Sequence, residues 1–403
     1  MDKSLAAQIE KLMVQNRRHT KGVTYTLPSP DSYPFQWLWD SCFHAIILSH
    51  FDIPAAKQEL LSLTHHQFSN GMLPHMVYWK PANSNAFPRI RWGRPRTSSI
   101  TQPPMLAYAA WQIHSIEPDV EFLSSIIGTI DRFHKYLLKY RDPRKHHLVG
   151  LIHPDESGED NSPRFDSALT MKSIQDIQEN FRLRKVLIDR FRNYNFAIKN
   201  RMDRRHWVRD VPFNAILVKN LEAQAKIAKA IGDKPQADWA AHQAKLVKDA
   251  MRRVMMSPAG VMYPTVGRNY VLNRINTWAI FSPMFAGLHT QAEAENLVRH
   301  HLEDNNEFAT SYMVPTVAIN EPSFDPQGFW RGPVWMITNW FIVKGLQEYG
   351  FKDEAQKIID QSVQLLETAG FREQFNPLNG EGYGAHHFTW GCMVMDMIQA
   401  TDL

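Results

Sequence analysis

Residues 333–349 are apolar on almost every side. Val334, Trp335, Ile337, Trp340, Phe341, Ile342, Leu346 and Tyr349 leave no face for water. A helix of that kind must be enclosed by other helices, so this stretch constrains the fold more than any other. It is the clearest of several such stretches; others are one-faced. Over 213–231, Phe213, Ile216, Leu217, Leu221, Ile227, Ala228 and Ile231 share one side, with Lys219, Lys226 and Lys229 opposite and Gly232 as the stop. Residues 352–369 follow the same rule up to Gly370. The periodicity also predicts helices near 4–18, 40–52, 54–69, 101–115, 118–140, 172–199, 235–255, 273–285, 291–303 and 386–400. Alternating strand patterns are rare. The expectation is an all-α protein in which an inner ring of helices is wrapped by an outer ring. That arrangement lets residues 1–403 form one domain beyond the usual single-core limit. The inner helices would converge on one end, where their loops make a pocket.

Composition removes several classes of function. The formal charge of +4 over 403 residues is too weak to argue for nucleic acid. No apolar run reaches the ~20 residues of a membrane span, and the first residues carry no secretory signal pattern. Cys42 and Cys392 alone give neither a disulfide framework nor metal-site spacing. A cytoplasmic protein without metal or cofactor is expected.

The chemistry lies in four loops rich in aromatics, amides and carboxylates. Such loops suit sugars, because rings stack on the pyranose face while charged and amide groups bind hydroxyls. The first runs through Tyr33, Phe35, Gln36, Trp37, Trp39 and Asp40, directly before a helix. Asp40 can cap that helix, bind hydroxyls, or do both. The second, His153 to Asp166, holds Asp155, Glu156, Glu159, Asp160 and Asp166, shaped by Gly158 and Pro163. A solvated acidic loop is the plain explanation. Crowded and partly buried, however, such carboxylates raise one another's pKa, as a general acid requires. The third carries Phe329, Trp330, Arg331 and Trp335, with Pro333 suited to a first helical turn. The fourth, Phe371 to Gly384, holds Glu373, Asn376 and Tyr383 among glycines that can turn sharply beside a ligand.

In this order the loops resemble the helical-toroid glycosidases of glycoside hydrolase family 63, which include mannosylglycerate and glucosylglycerate hydrolases and are related to trehalase. The stretches that carry the likeness are PFQWLWDSCFHA (34–45), GMLPH (71–75), TQPPMLAYAAW (101–111), ESGEDNSPRFD (156–166), FWRGPVWMITNWFIVKGL (329–346) and FREQFNPLNGEGYGAHHFTW (371–390). The resemblance implies an (α/α)6 barrel and an inverting mechanism, with Asp160 as general acid and Glu373 as general base. It implies a carboxyl separation in the inverting range of ~6.5–9.5 Å. It implies Asp40 at the hydroxyls of the cleaved sugar and Tyr33, Phe35, Trp37, Trp39, His75, Gln102, Trp330 and Arg331 as substrate contacts. Arg164 would steady the acid loop or touch substrate. Two departures stand out. Glu159 occupies a position that is usually apolar or aromatic, and would raise the pKa of Asp160 or face solvent. Phe165 replaces a usual Trp.

Two basic segments bear on the leaving group: Arg89, Arg91, Arg94 and Arg96, then Lys199, Arg201, Arg204, Arg205, His206 and Arg209. They read as solvated loops, or as lids near 80–100 and 199–211 whose guanidinium groups grip a carboxylate. With Tyr383 on the same side, an anionic leaving group such as glycerate is favoured. The expectation is therefore an inverting α-glycosidase acting on a small glycoside, mannosylglycerate or glucosylglycerate, without nucleic-acid or membrane partners. Self-association into a homo-oligomer is left open. The alternatives are an α-glucosidase or trehalase acting on a neutral saccharide, and an inactive sugar-binding toroid.

Overall fold

The computed structural model describes residues 3–20, 22–79, 92–171, 176–197, 208–312 and 314–399. Its helices are α1 Lys3–Asn16, α2 Leu38–Leu48, α3 Ile53–Thr64, α4 Leu106–Ile116, α5 Val120–Tyr140, α6 Asp166–Leu169 and α7 Ile177–Arg192. They continue with α8 Val211–Ala230, α9 Lys234–Met255, α10 Ser282–Phe285, α11 Gln291–Leu297, α12 Met336–Glu348, α13 Lys352–Ala369 and α14 Val394–Gln399.

Burial sorts these into two rings. Every residue of α2 is buried, as are most of α8 and α12, nearly all of the stretches 278–285 and 389–397, and most of the first half of α4. These inner segments touch in a closed cycle: α2 with α4, α4 with α8, α8 with α10, α10 with α12, α12 with α14, and α14 back to α2. The amphipathic helices α1, α3, α5, α9, α11 and α13 alternate with them along the chain and form the outer ring. They bury one stripe each, such as Ala355, Ile358, Ile359, Ser362, Leu365 and Leu366 of α13. The result is an (α/α)6 toroid with one large core and a smaller apolar cluster around Phe35, Trp37, Tyr78 and Trp92. Helix α7, between α5 and α8, belongs to neither ring and buries only Asn180 and Ile188. Among the described residues no helix is long and apolar enough to cross a membrane.

Several expected boundaries move, each for a backbone reason. Helix α4 starts at Leu106 rather than 101, because Pro103 and Pro104 precede it and disfavour helix. The helix expected over 273–285 is a 3-10 turn, Trp278–Ile280, and then α10, with Pro283 in its first turn. Pro333 does not open α12. Val334 pairs instead with Phe375, its N–H donating at 2.7 Å and its carbonyl accepting at 3.0 Å, and the helix starts at Met336. The stretch 386–400 begins at the end of a strand and passes through a 3-10 turn before α14. Short strands were missed. Two antiparallel hairpins are clear, Arg17–Thr20 with Val23–Thr26 (β1, β2) and, near the C-terminus, Arg372–Phe375 with Gly382–His386.

Candidate active site

The Asp160 loop is built from its turns outward. A 3-10 turn, Pro154–Ser157, ends in left-handed Gly158 (φ 78°). A Cβ there would lie 2.1 Å from the Trp39 ring, so only glycine lets the loop press against that indole. Glu156 anchors the loop from below. It accepts two bonds from Arg141 at 2.7 and 2.9 Å and the backbone N–H groups of Thr101 and Ile152. Asn161 fixes the loop sideways: its amide donates to the Gly328 carbonyl and accepts from the Trp330 N–H. Asp160, between these anchors, points into the cavity with 27% of its side chain exposed. Its Oδ2 lies 2.7 Å from Arg184 of α7, which also holds Asp155 at 2.5 Å. Burial pushes the Asp160 pKa up; Arg184 opposes this, the Asp155 charge reinforces it, and the net is upward. Burial would also raise Asp155, but Arg184 and His153 outweigh it and hold that carboxyl well below the usual range.

Glu373 sits on the C-terminal hairpin, 5% exposed. The Tyr33 hydroxyl donates to its Oε1, and the Ala385 N–H donates to its Oε2 at 2.8 Å. Gly384, at φ 69°, faces the carboxylate so closely that a Cβ would come within 2.2 Å of Oε2. Burial raises the Glu373 pKa, the two donors pull it down, and the Asp160 charge pushes it up again. The net is upward. Asp40, in the first turn of α2, accepts from the Trp390 indole at 2.9 Å, and burial lifts its pKa to about 7. His75 is buried on Ser98 (2.7 Å), and desolvation lowers its pKa to about 3, so its ring is neutral.

These groups line one cavity of about 260 Å³. Asp160 and Glu373 both face it, with Tyr33, Trp37, Trp39, Asp40, His75, Gln102 and Trp330. The walls are aromatic: Trp330 and Trp335 stack 3.9 Å apart at 6°, and Trp390 packs against both. Among the described residues, no group of His, Cys, Asp and Glu is placed to hold a metal ion. Paired carboxylates in a ring-lined pocket at the centre of a helical toroid are the features of a glycosidase. Comparison with known proteins agrees. Residues 33–391 match the family described as the mannosylglycerate hydrolase MGH1-like glycoside hydrolase domain. The chain belongs to this family of glycoside hydrolases.

The hydrolase is 31% identical over 412 residues to a mannosylglycerate hydrolase of Thermus thermophilus, covering 94% of this chain and 97% of that one. It is 27% identical over 430 residues to a glucosylglycerate hydrolase of Mycolicibacterium hassiacum, covering 93% and 94% of the two chains. Its fold superposes on the crystal structure of a GH63 mannosylglycerate hydrolase, also from Thermus thermophilus, in complex with Tris and D-glycerate. The TM-score is 0.89 at 29% identity, over 98% of this chain and 100% of that one. The neutral trehalase Nth1 of Saccharomyces cerevisiae shares the fold, with a TM-score of 0.64 at 14% identity over 97% of this chain and 79% of that one.

Four residues expected at the substrate do not line the cavity. Phe35 packs edge-on against Tyr78, with Trp37 between it and Tyr33. Arg164 is fully buried on Glu159 and Asp210, so it steadies the acid loop. Glu159 does not face solvent: Arg164 binds both its oxygens, at 2.8 and 2.9 Å, and the Trp278 indole donates to it at 2.7 Å. Arg331 forms a forked pair with Asp166, at 2.5 and 2.9 Å, on the far side of its loop. Tyr383 bonds Asn376, Glu381 and Gln327 at the hairpin turn. Of the basic segments, Arg89, Arg91, Lys199, Arg201, Arg204, Arg205 and His206 lie outside the described residues, as does much of each expected lid. Arg94 lies over Phe68, Arg96 is exposed, and Arg209 is buried over Tyr270; none of the three lines the cavity. Sequence reasoning did not single out Asp155, or Phe388 and Trp390 within the 371–390 stretch, as lining groups, and it missed Phe181 and Arg184. Arg184 sits within a run of alternating basic and apolar residues, and nothing in that pattern marks it.

Proposed function

We propose that the hydrolase cleaves a small α-glycoside with inversion. Asp160 protonates the leaving oxygen and Glu373 deprotonates a water on the opposite face of the sugar. One observation carries this: Asp160 and Glu373, 213 positions apart in sequence, share a single cavity, the first beside an aromatic wall and the second oriented by Tyr33 and Ala385. The site has no need of a metal in this scheme. Asp40, His75 and Gln102 bind the hydroxyls of the cleaved sugar, and Trp330 and Trp39 pack against its faces. The leaving group is glycerate, in a mannosyl or glucosyl glycoside. Relatives carry both names, and Arg184 brings a cation to the acid side of the cavity, where a leaving group's carboxylate belongs.

Incubation with α-mannosylglycerate, α-glucosylglycerate and trehalose, followed by proton NMR of the first anomer released, tests the reading. Release of β-sugar from a glycerate glycoside is expected. Release of α-sugar overturns the pairing of Asp160 with Glu373, and turnover of trehalose alone overturns the anionic leaving group.

A further inference from the structure

Arg184 is the one cation among the described residues that line the cavity, and it already has a task. It bridges Asp155 at 2.5 Å and Asp160 at 2.7 Å, while Asn180 accepts from its Nε at 2.9 Å. The guanidinium favours the ionised form of Asp160 and so opposes the burial that favours the neutral one, yet the reaction needs the acid protonated. The substrate class proposed above, on which this inference rests, resolves the conflict through its own connectivity. In a glyceric acid glycoside linked through the 2-hydroxyl, the leaving oxygen and the carboxylate are borne by adjacent carbons. Whatever places that oxygen within hydrogen-bond reach of Asp160 also places the carboxylate beside Asp160 and its guanidinium partner.

We propose that the substrate's carboxylate takes Arg184 away from Asp160 and, as a like charge beside it, causes Asp160 to take up the proton that it then delivers to the leaving oxygen. The proton comes from solvent on binding. When the glycosidic C–O bond breaks, that proton passes to glycerate's oxygen. The attacking water gives its oxygen to the sugar carbon and a proton to Glu373, which returns it to solvent. Asp160, now ionised, re-pairs with Arg184 as glycerate leaves. Anionic leaving groups are therefore selected in the chemical step as well as in binding.

Every charged neighbour of Asp160 fits this scheme. Asp155, from its own loop, stays ionised under Arg184 and His153 and keeps Arg184 in place during the exchange. Glu373 and Tyr33 face Asp160 across the cavity and contribute no positive charge. Arg184, at 2.7 Å, is the largest influence favouring the anion, with a backbone hydrogen bond and the more distant His153 adding less. Burial already biases Asp160 toward its neutral form, and loss of its guanidinium partner moves it further the same way.

The decisive measurement is calorimetric titration of D-glycerate, with glycerol as the neutral control, at neutral pH in two non-amine buffers of different ionisation enthalpy. Uptake of about one proton per glycerate is expected in the unmodified protein, and almost none in Asp160→Asn, which still binds glycerate. Absence of proton uptake, equal uptake in Asp160→Asn, or no glycerate binding at all each overturns the proposal. A kinetic arm separates it from the reading of function. The alkaline limb of the kcat profile should lie about tenfold higher in hydroxide for the glycerate glycoside than for the matching glycoside of glycerol. In Arg184→Gln the neutral substrate's limb should move up toward the anionic one. Coincident limbs in the unmodified protein overturn proton loading while leaving glycerate glycoside hydrolysis intact. Failure to cleave any glycerate glycoside overturns the functional reading, and the titration still decides the exchange.

Discussion

At the scale of single residues, the two carboxylates are told apart by what each must do to the leaving group. Asp160→Asn removes proton donation, worth about 10²–10⁴ in rate on a sugar-like leaving group. A 4-nitrophenyl glycoside leaves without protonation, so the same variant should lose far less with it. Glu373→Gln should lose about 10²–10⁴ with both, because the water still needs its base. Comparison of kcat/KM on the two leaving groups checks the assignment, and equal losses in Asp160→Asn would refute it. Tyr33→Phe tests how Glu373 is tuned. The hydroxyl donates to the Glu373 carboxylate and pulls its pKa down. Without it the folded-state pKa rises further, so Glu373 becomes protonated at higher pH and the acidic limb of kcat/KM moves upward. An unmoved limb would mean that Tyr33 packs against Glu373 without setting its charge.

At the scale of elements, the site depends on hairpins and loops rather than on the helices that dominate the chain. Glu373 is held by a strand pair whose second strand passes Gly384 against the carboxylate, with space for no side chain. Gly384→Ala combines a residue at φ 69° with a Cβ within 2.2 Å of Glu373 Oε2. The strained backbone costs about 1–2 kcal/mol, and relieving the overlap moves the base. Activity should fall by orders of magnitude while the melting temperature drops only slightly. Parallel losses of both would place the effect in folding instead. This also shows why part of the site was legible in sequence and part was not. The helices follow from apolar periodicity, since each ring position demands a fixed burial pattern. The loops that carry Asp160 and Glu373 were legible because turn glycines and aromatics crowd them, and the family resemblance singled out these two carboxylates. The hairpin was not legible, because Glu373 and Gln374 have little strand propensity, and the strand's end at Phe375 is fixed by tertiary pairing with Val334. Arg331 and Arg164 looked like substrate groups because a buried guanidinium and a ligand-binding one have the same flanking residues. Only three-dimensional partners, Asp166 and Glu159, tell them apart. Arg184 reaches the cavity through the placement of α7 across the ring mouth, which no local pattern encodes.

At the scale of the whole molecule, the toroid must close by joining its first inner helix to its last, and that seam is held by polar groups as well as by packing. Asp396 of α14 receives the Trp340 indole at 2.7 Å and the Lys344 ammonium at 2.7 Å, both from α12, and pairs with His50, just beyond α2, at 2.9 Å. Burial would raise its pKa, but Lys344 and His50 outweigh that and hold it well below the usual carboxylate range. A carboxylate with a depressed folded-state pKa contributes stability that is present above its unfolded value of about 4 and is lost as pH falls below it. The same seam carries the Trp390–Asp40 bond at 2.9 Å and the His44–Thr389 bond at 2.7 Å, so ring closure also orients Asp40, the group proposed to bind sugar hydroxyls. Asp396→Ala strands a buried ammonium and an indole N–H, and should destabilise the fold by about 3–5 kcal/mol. The lowered melting temperature should depend less on pH below about 4 than that of the unmodified protein, because the titrating group is gone. If calorimetric unfolding across that range shows the same slope for both, the seam does not draw its stability from the Asp396 charge, and the ring is closed by the aromatic contacts of Trp39, Phe43 and Trp390.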